Sequence, residues 1–332
     1  MNKEIILHEL ERVKTEVIKR KKFDSLIFLM FSDLHSYGID KDSTLYFIDC
    51  LSNICQKIQP DAVIDMGDNF AMLGRERHIS NSSLVEEFSK LFGGIKEKIN
   101  SPLLLINGNH DSIGTDFFKP KFWYDIVNGK YDDGLAHRSG QQGYYYVDYE
   151  SLKTRLVFLS VPSDSCLDAE YPTPIWAFGK EQIKWLKEVA LNTEHNVLLF
   201  SHVPFYYRYR GDMESKLEVW NGEKTAFSYV SNLCGWIDDA EEAAEVIKSS
   251  NNVVACFSGH AHKDSLWKPY EIRGADKNVL PCHQVVTRNP IPFPWDDDKG
   301  VFGISVDIMI FEPNGQKIDI IRFGDGEDRK VL

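Results

Sequence analysis

The sequence predicts an α/β fold, a sandwich of two sheets flanked by helices, and three observations carry that prediction. First, short apolar runs recur: SLIFLMF (25–31), DAVIDM (61–66), PLLLI (102–106), NVLLF (196–200) and NVVACF (252–257). Each is rich in branched residues and apolar at both alternating positions, as strands covered on both faces are. Second, amphipathic stretches separate these runs, from Ser43 to Ile58, Ser82 to Ile99, Gly179 to Leu191 and Asp238 to Lys248. Strands alternating with helices fit sheets with crossover connections. Third, two regions break the rhythm. Residues 143–162 (GYYYVDYESLKTRLVFLSVP) read as two strands around a turn. Residues 301–323 (VFGISVDIMIFEPNGQKIDIIRF) read as an alternating hairpin turning at Asn314-Gly315. Both regions are assigned to a second, more antiparallel sheet.

Along the chain, residues 1–24 read as an N-terminal helix. Ile5, Ile6, Glu9, Val13, Val17 and Ile18 fall at helical spacing, and Lys19 to Lys22 form a basic end. No linker is visible, so residues 1–332 count as one domain. Residues 203–235 are irregular and aromatic-rich, an insertion expected to lie over the functional site. With 43% hydrophobic and 27% charged residues, the composition is that of an ordinary soluble globular protein. Fifty acidic against 38 basic residues give a formal net charge of -12, which repels nucleic-acid backbones. The one Lys/Arg run is Lys19 to Lys22, so a polymeric nucleic acid is not the expected partner. No apolar run is long enough to cross a bilayer; Asp33 ends the strongest one, 26–31. The N-terminal stretch has no continuous apolar core and no small-residue cleavage site, so a cytoplasmic protein without a membrane partner is expected. The six cysteines (50, 55, 166, 234, 256 and 282) show no tight spacing and read as buried thiols in a reducing compartment. Oligomeric state stays open.

Polar clusters follow the apolar runs immediately. They are Ser32-Asp33-Leu34-His35, Gly67-Asp68-Asn69, Gly108-Asn109-His110-Asp111, Ser201-His202 and Gly259-His260-Ala261-His262. Ligands bind at the carboxyl ends of strands in open α/β sheets, so these clusters are expected to converge on one sheet edge. Singly, Asp-x-His or Gly-Asp is an ordinary cap or turn, and a lone His202 an ordinary structural histidine. All five in order at strand ends are not. Leu103 to Ile106 would aim Asn109 at a metal and His110 at a substrate. Carboxylate, imidazole and amide oxygen suit Mn²⁺, Fe, Zn²⁺ or similar ions, and no Cys joins them. Seven ligands, Asp33, His35, Asp68, Asn109, His202, His260 and His262, exceed what one ion needs, and Asp68 can bridge two through its two oxygens. Two divalent ions roughly 3.5–4 Å apart form the clamp that phosphoryl hydrolysis uses.

Asp-x-His, Gly-Asp-Asn, Gly-Asn-His-Asp, His and Gly-His-x-His, in this order from about residue 25 to 265, resemble the calcineurin-like metallophosphoesterases. The resemblance implies a four-layer α/β/β/α sandwich of two mixed sheets flanked by helices. It implies Asp33, His35 and His262 on a first metal, Asn109, His202 and His260 on a second, and Asp68 between them. His110 would be the catalytic histidine, with Asp111 orienting its ring. Purple acid phosphatases, a branch of that superfamily, carry a Tyr ligand three residues after the bridging Asp; here Ala71 stands there, against a coloured iron site.

The implied activity is hydrolysis of a small phosphate ester, diester favoured over monoester, by a metal-bridged water with His110 as general acid or charge stabiliser. Alternatives are a nuclease of the same superfamily and a non-catalytic metal-binding scaffold; the complete ligand set speaks against the scaffold. Arg75, Arg208 and Arg210 are candidate phosphate clamps, and Tyr206, Tyr207, Tyr209 and Trp220 candidate lid residues that stack on a ring. His8, His78, His137, His195 and His283 match no motif and read as structural or surface residues.

Overall fold

A computed structural model describes residues 3–36, 41–70, 81–112, 120–127, 129–160, 178–208, 239–273, 276–292 and 300–332. Side chains at 3, 81–84, 109, 112, 120–122, 125, 206–208, 240 and 276 lie outside that description. The chain begins α1 (Lys3–Arg20), β1 (Leu26–Phe31), α2 (Lys41–Ile58), β2 (Ala62–Asp65), α3 (Asn81–Lys98), β3 (Leu103–Leu105) and α4 (Pro120–Val127). It continues β4 (His137–Arg138), β5 (Tyr145–Tyr149), β6 (Thr154–Phe158), α5 (Lys180–Trp185), β7 (Asn196–Phe200), β8 (Tyr206–Arg208) and α6 (Ala240–Lys248). Then come β9 (Val253–Ser258), β10 (Ser265–Trp267), β11 (Ile272–Arg273), β12 (Asp276–Asn278), β13 (His283–Val286), β14 (Ser305–Glu312), β15 (Lys317–Gly324) and β16 (Arg329–Lys330).

The first sheet has the order β16-β15-β14-β1-β2-β3, the second β10-β13-β9-β7-β6-β5-β4. Strands β1, β2 and β3 are parallel, as are β6, β7, β9 and β13, and antiparallel strands extend each sheet, so both are mixed. The small β11-β12-β8 sheet stands apart.

This corrects the expected partition. The 301–323 hairpin does not join residues 143–162 in a second sheet; β14 pairs with β1, whereas β5 and β6 pair toward β7. Each antiparallel segment caps its own parallel core, a preference that apolar alternation does not encode. The hairpin loop also differs from a two-residue turn. Glu312 pairs with Lys317, and the intervening Pro313–Gly315 form a 3₁₀ turn closed by Gln316 in left-handed backbone (φ 48°).

Alternation explains the apolar runs. In β1, Ile27, Leu29 and Phe31 face α1 to α4, while Leu26, Phe28 and Met30 enter the core between the sheets. Across that core stand Val147, Leu156, Leu198, Ala255 and Val285 of the second sheet. Val157, Leu199 and Cys256 face the other way, onto α5 and α6. The result is the α/β/β/α layering.

Four rings cross the second sheet in register: Tyr145 opposite Phe158, Phe158 opposite Phe200, and Phe200 opposite Phe257. Their centroids are spaced 4.6, 5.0 and 5.1 Å with near-parallel planes. At one end the Tyr145 hydroxyl donates to Leu105 O of the first sheet at 3.1 Å. The ladder therefore ties the sheets together one residue below the loops that follow β7 and β9. Of the cysteines, Cys50, Cys55, Cys256 and Cys282 are buried and free, and the last two lie with sulfurs 3.7 Å apart; 166 and 234 fall outside the described residues. Among the described residues, no helix is long and apolar enough to cross a membrane.

Phe200 is fully buried in the ladder, so Phe200→Ala is expected to cost about 3–5 kcal/mol in urea unfolding. Phe23, fully exposed, should tolerate Ala within about 0.5 kcal/mol. Equal effects at both positions would contradict the assigned core.

Candidate metal centre

The polar clusters leave the strands without losing their pairing. Beyond β1 and β2, Asp33 N–H donates to Gly67 O (2.7 Å), His35 N–H to Asp68 O (3.0 Å) and Ser36 N–H to Asn69 O (2.8 Å). Beyond β7 and β9, Ser201 N–H donates to Phe257 O and Gly259 N–H to His202 O, both at 3.0 Å. Two further bonds cross between sheets: His260 N–H to Asp33 Oδ2 (2.8 Å) and His202 Nδ1–H to Met66 O (2.8 Å). The clusters thus do not share one sheet edge. Three come from the first sheet and two from the second, because the sheets face each other and present carboxyl ends to a common space.

Glycine is required where these loops touch. A Cβ on Gly67 would lie 2.5 Å from Gly108 N, one on Gly108 2.1 Å from Asp68 Oδ1, and one on Gly259 1.8 Å from Ser32 Oγ. Backbone strain concentrates in the same place. Of ten non-glycine residues in left-handed backbone among those described, five are Asp33 (φ 61°), His35 (45°), Asp68 (58°), His260 (65°) and His262 (54°). Such conformations cost on the order of 1 kcal/mol each or more and persist where the surroundings over-determine them.

Two groups of ligand atoms result, Asp33 with His35 and His262, and Asp68 with His202 and His260. Within each, all donor atoms lie within 4.8 Å of one another. His35 Nε2 and His262 Nε2 are 3.3 Å apart, and His262 Nε2 is 3.2 Å from Asp33 Oδ1. His202 Nε2 is 3.0 Å from Asp68 Oδ2, yet both atoms, like Asp33 Oδ1, are buried without a hydrogen bond of proper geometry. Buried polar atoms brought this close without well-aligned hydrogen bonds are what a cation site requires. The donors, carboxylate oxygen and imidazole nitrogen, fit a divalent ion of the Mn²⁺, Fe²⁺ or Zn²⁺ kind.

Charge agrees with that fit. Burial drops His35 to about 4 and His260 to about 3, the neutral form that ligates. Burial opposes charge on Asp33, but the His262 and His202 imidazoles outweigh it and hold the carboxyl at about 2. Asp68 is driven well below the carboxylate range in the same way, burial being overcome mainly by His202 and His110. His202, against burial, is raised to about 10 by Asp68 and Asp33. Its Nδ1 donates to Met66 O, so Nε2 is the nitrogen left for ligation.

One expected role changes, that of Asp111. Asp68 Oδ1 accepts His110 N–H at 2.7 Å, one of the two acceptor positions of that oxygen, and Oδ2 lies 3.0 Å from His202 Nε2. Asp111 does not orient the His110 ring. Its Oδ1 accepts Asn69 N–H (2.8 Å) and Phe70 N–H (3.2 Å), and its Oδ2 accepts Asp68 N–H (2.8 Å) and Gly108 N–H (2.9 Å). Four amides fill its acceptor capacity, so this carboxylate holds the Asp68 loop to the His110 loop. Burial and the Asp68 charge push it up to about 7. The His110 ring stands beside His35, centroids 5.1 Å apart.

Asn109 opens the 3₁₀ turn Asn109–Ser112, its side chain outside the description. Tyr206, Tyr207 and Arg208 are placed by backbone only, in β8 against β12. Arg75, Arg210, Ala71, Tyr209, Trp220 and most of the 203–235 segment fall outside the described residues. Several supporting residues were not singled out from sequence. Asp65, fully buried, accepts Gly67 N–H and Asn69 Nδ2–H, both at 2.9 Å. Ser160, at the end of β6, donates to Asn107 Oδ1 across the sheets. The signal for Asp65 was a carboxylate inside an apolar run; Ser160 had none.

The calcineurin-like phosphoesterase family profile matches residues 26–264. The chain belongs to that family, and phosphoester hydrolysis is its class of chemistry. Among solved structures it is similar to a dimetal phosphatase from Danio rerio, at 13% identity and TM-score 0.59, covering 92% of this chain and 98% of that one. It also matches GAP50, the anchor in the inner membrane complex of Plasmodium, at 12% identity and TM-score 0.46, covering 92% of this chain and 88% of that one. PhoD matches at 11% identity and TM-score 0.47, covering 93% of this chain and 72% of that one. At such identities the likeness is one of fold, carried by the first of the three. No curated protein sequence matches the chain.

Because a Gly108 Cβ would meet Asp68 Oδ1 and backbone, Gly108→Ala is expected to lower stability by about 1–3 kcal/mol. Gly93→Ala in α3, where a Cβ meets nothing within 4 Å, should raise it by about 0.5–1 kcal/mol. Thermal unfolding of the two variants checks the sign of each.

Proposed function

We propose that this chain hydrolyses a small phosphate ester, a diester in preference to a monoester, at a centre of two divalent cations. The observation that carries the reading is the convergence of two N/O ligand groups from facing sheets, with the His110 ring beside His35. Asp33, His35 and His262 would hold one cation and Asn109, His202 and His260 the other, with Asp68 between them. Bound cations would supply the Lewis acidity that polarises phosphoryl oxygens and acidifies water.

The chain's own residues supply the rest. His110, half-buried, donates its N–H to Asp68, so the turn carrying the imidazole moves with the ligand loop. From there its ring would give a proton to the departing alkoxide or stabilise charge on the phosphoryl oxygens. Asp111 holds the two loops at fixed separation through backbone amides. The net charge of -12 favours a compact ester over a polymer whose binding rests on many cationic contacts. Arg75, Tyr207, Arg208 and Arg210 remain the proposed substrate contacts. Four buried free thiols support a reducing, cytoplasmic setting.

His110→Gln removes the proposed acid but no ligand. Elemental analysis after loading with Mn²⁺ should still approach two ions per chain, while turnover falls about 10²- to 10⁴-fold. Retained turnover would remove His110 from the chemistry. The substrate reading is checked by comparing bis-p-nitrophenyl phosphate, p-nitrophenyl phosphate and nucleotide esters with single- and double-stranded DNA, under Mn²⁺, Zn²⁺, Fe²⁺ and Mg²⁺ in turn. Small diesters should turn over fastest; salt-sensitive cleavage of DNA alone would make this a nuclease.

A further inference from the structure

The loop between β9 and β10 carries His260 and His262 and is moored at both ends. Its first half is tied to the ligand shell, through Gly259 N–H to His202 O and His260 N–H to Asp33 Oδ2. Its far end is held from the other sheet. Arg322 of β15, 1% exposed, donates to the Asp264 carboxylate, and Arg329 of β16 lies 3.5 Å from the same oxygen. Arg288 N–H adds a bond of 3.3 Å to that oxygen. Behind them Asp307 of β14 accepts from Arg329 and from Thr287 Oγ1 (2.8 Å), and lies 3.0 Å from Arg322. The packing is close, since a Cβ on Gly326 would meet Asp264 Oδ2 at 3.2 Å and Arg322 Cζ at 3.4 Å.

Two arginines and two aspartates are thus gathered where a hydrophobic cluster of similar volume would often be at least as stable. Stability alone does not account for taking two guanidinium groups out of water. Position does. With 35% of its side chain exposed, His262 is less enclosed than His35 (1%), His202 (0%) or His260 (7%), and its backbone is left-handed. Its ring stands edge-on to that of His35, centroids 5.1 Å apart. The anchored residue two positions downstream is Asp264.

We propose that Arg322, backed by Asp307 and Arg329, is a positioning residue that acts through Asp264 to aim His262 at the group it forms with Asp33 and His35. The inference rests on reading that group as metal-binding. Arg322 meets both Asp264 and Asp307 through one nitrogen, Nη2, at the end of a side chain one atom longer than that of lysine, so a lysine ammonium would fall short of the pair.

The test is calorimetric titration of metal-depleted full-length protein with Mn²⁺, alongside urea unfolding. In Asp264→Ala, affinity for one of the two ions is expected to fall about 10- to 100-fold, the other staying within a few-fold. Asp264→Glu, which keeps the carboxylate, should recover most of the loss. Arg322→Lys should reproduce the selective loss, and it decides the question should Asp264→Ala not fold. Ile54→Val, in the helix-facing core, serves as a destabilised control with wild-type affinity. Unchanged binding in Asp264→Ala overturns the proposal, as does an equal loss at both ions that tracks the unfolding midpoint. A wild-type protein that binds no Mn²⁺ is a different failure: it overturns the metal-binding reading itself, and this inference with it.

Discussion

The core between the two sheets is the constraint on which the site depends. Ligand groups drawn from both sheets can meet only if the sheets keep one separation and one register. The interleaved side chains of β1, β2 and β3 against β5, β6, β7 and β9 set the separation. The ring ladder from Tyr145 to Phe257 sets the register on the second sheet, and its terminal hydroxyl reaches the first at Leu105. Close-packed interiors transmit small displacements instead of absorbing them. A shift of one sheet against the other would part His202 and His260 from Asp33 and Asp68.

Above that rigid base the loops are strained. Left-handed backbone at Asp33, His35, Asp68, His260 and His262 is unfavourable for any non-glycine residue, and buried carboxylates crowd the same space. The surroundings offset this by hydrogen bonding, with Asp111 taking four amides and Asp65 two further donors. Glycines at 67, 108 and 259 let neighbouring backbones approach more closely than a side chain permits. Among the buried atoms that hydrogen bonds do not satisfy are Asp33 Oδ1, Asp68 Oδ2 and His202 Nε2, of the ligand groups, and Asp65 Oδ2 and Asn69 Oδ1 beside them. Strain and unsatisfied polarity coincide there, as expected of a place built for a ligand and not for stability.

Electrostatics is arranged at two levels. Inside the site, burial keeps the His35 and His260 rings neutral, while the Asp68 and Asp33 carboxylates raise His202 against burial. Outside it, the Asp264–Arg322–Asp307–Arg329 cluster balances its own charge and joins β14, β15 and β16 to the loop of the opposite sheet. The antiparallel extension of the first sheet therefore does more than cap a parallel core.

Period and punctuation in the sequence determined β1, β2, β3, β5, β6, β7, β9, β14 and β15, the helices α1, α2, α3, α5 and α6, and the order of the polar clusters. The apolar runs ending in Asp33, Asp68, Asn109, His202 and His260 were legible because buried strands need apolar side chains on both faces and any polar residue after them stands out. Sequence periodicity says which residues share a face, not which strands are neighbours. The assignment of the 301–323 hairpin to one sheet or the other, and the division of the clusters between two edges, were therefore decided by tertiary packing. The same holds for Asp111, whose four partners are backbone amides and carry no residue identity to read, and for Arg322, which a sequence shows only as one charge in an alternating strand. Local pattern specifies the elements and the chemistry at their ends. Long-range contact alone decides which carboxylate holds a loop and which arginine holds a histidine in place.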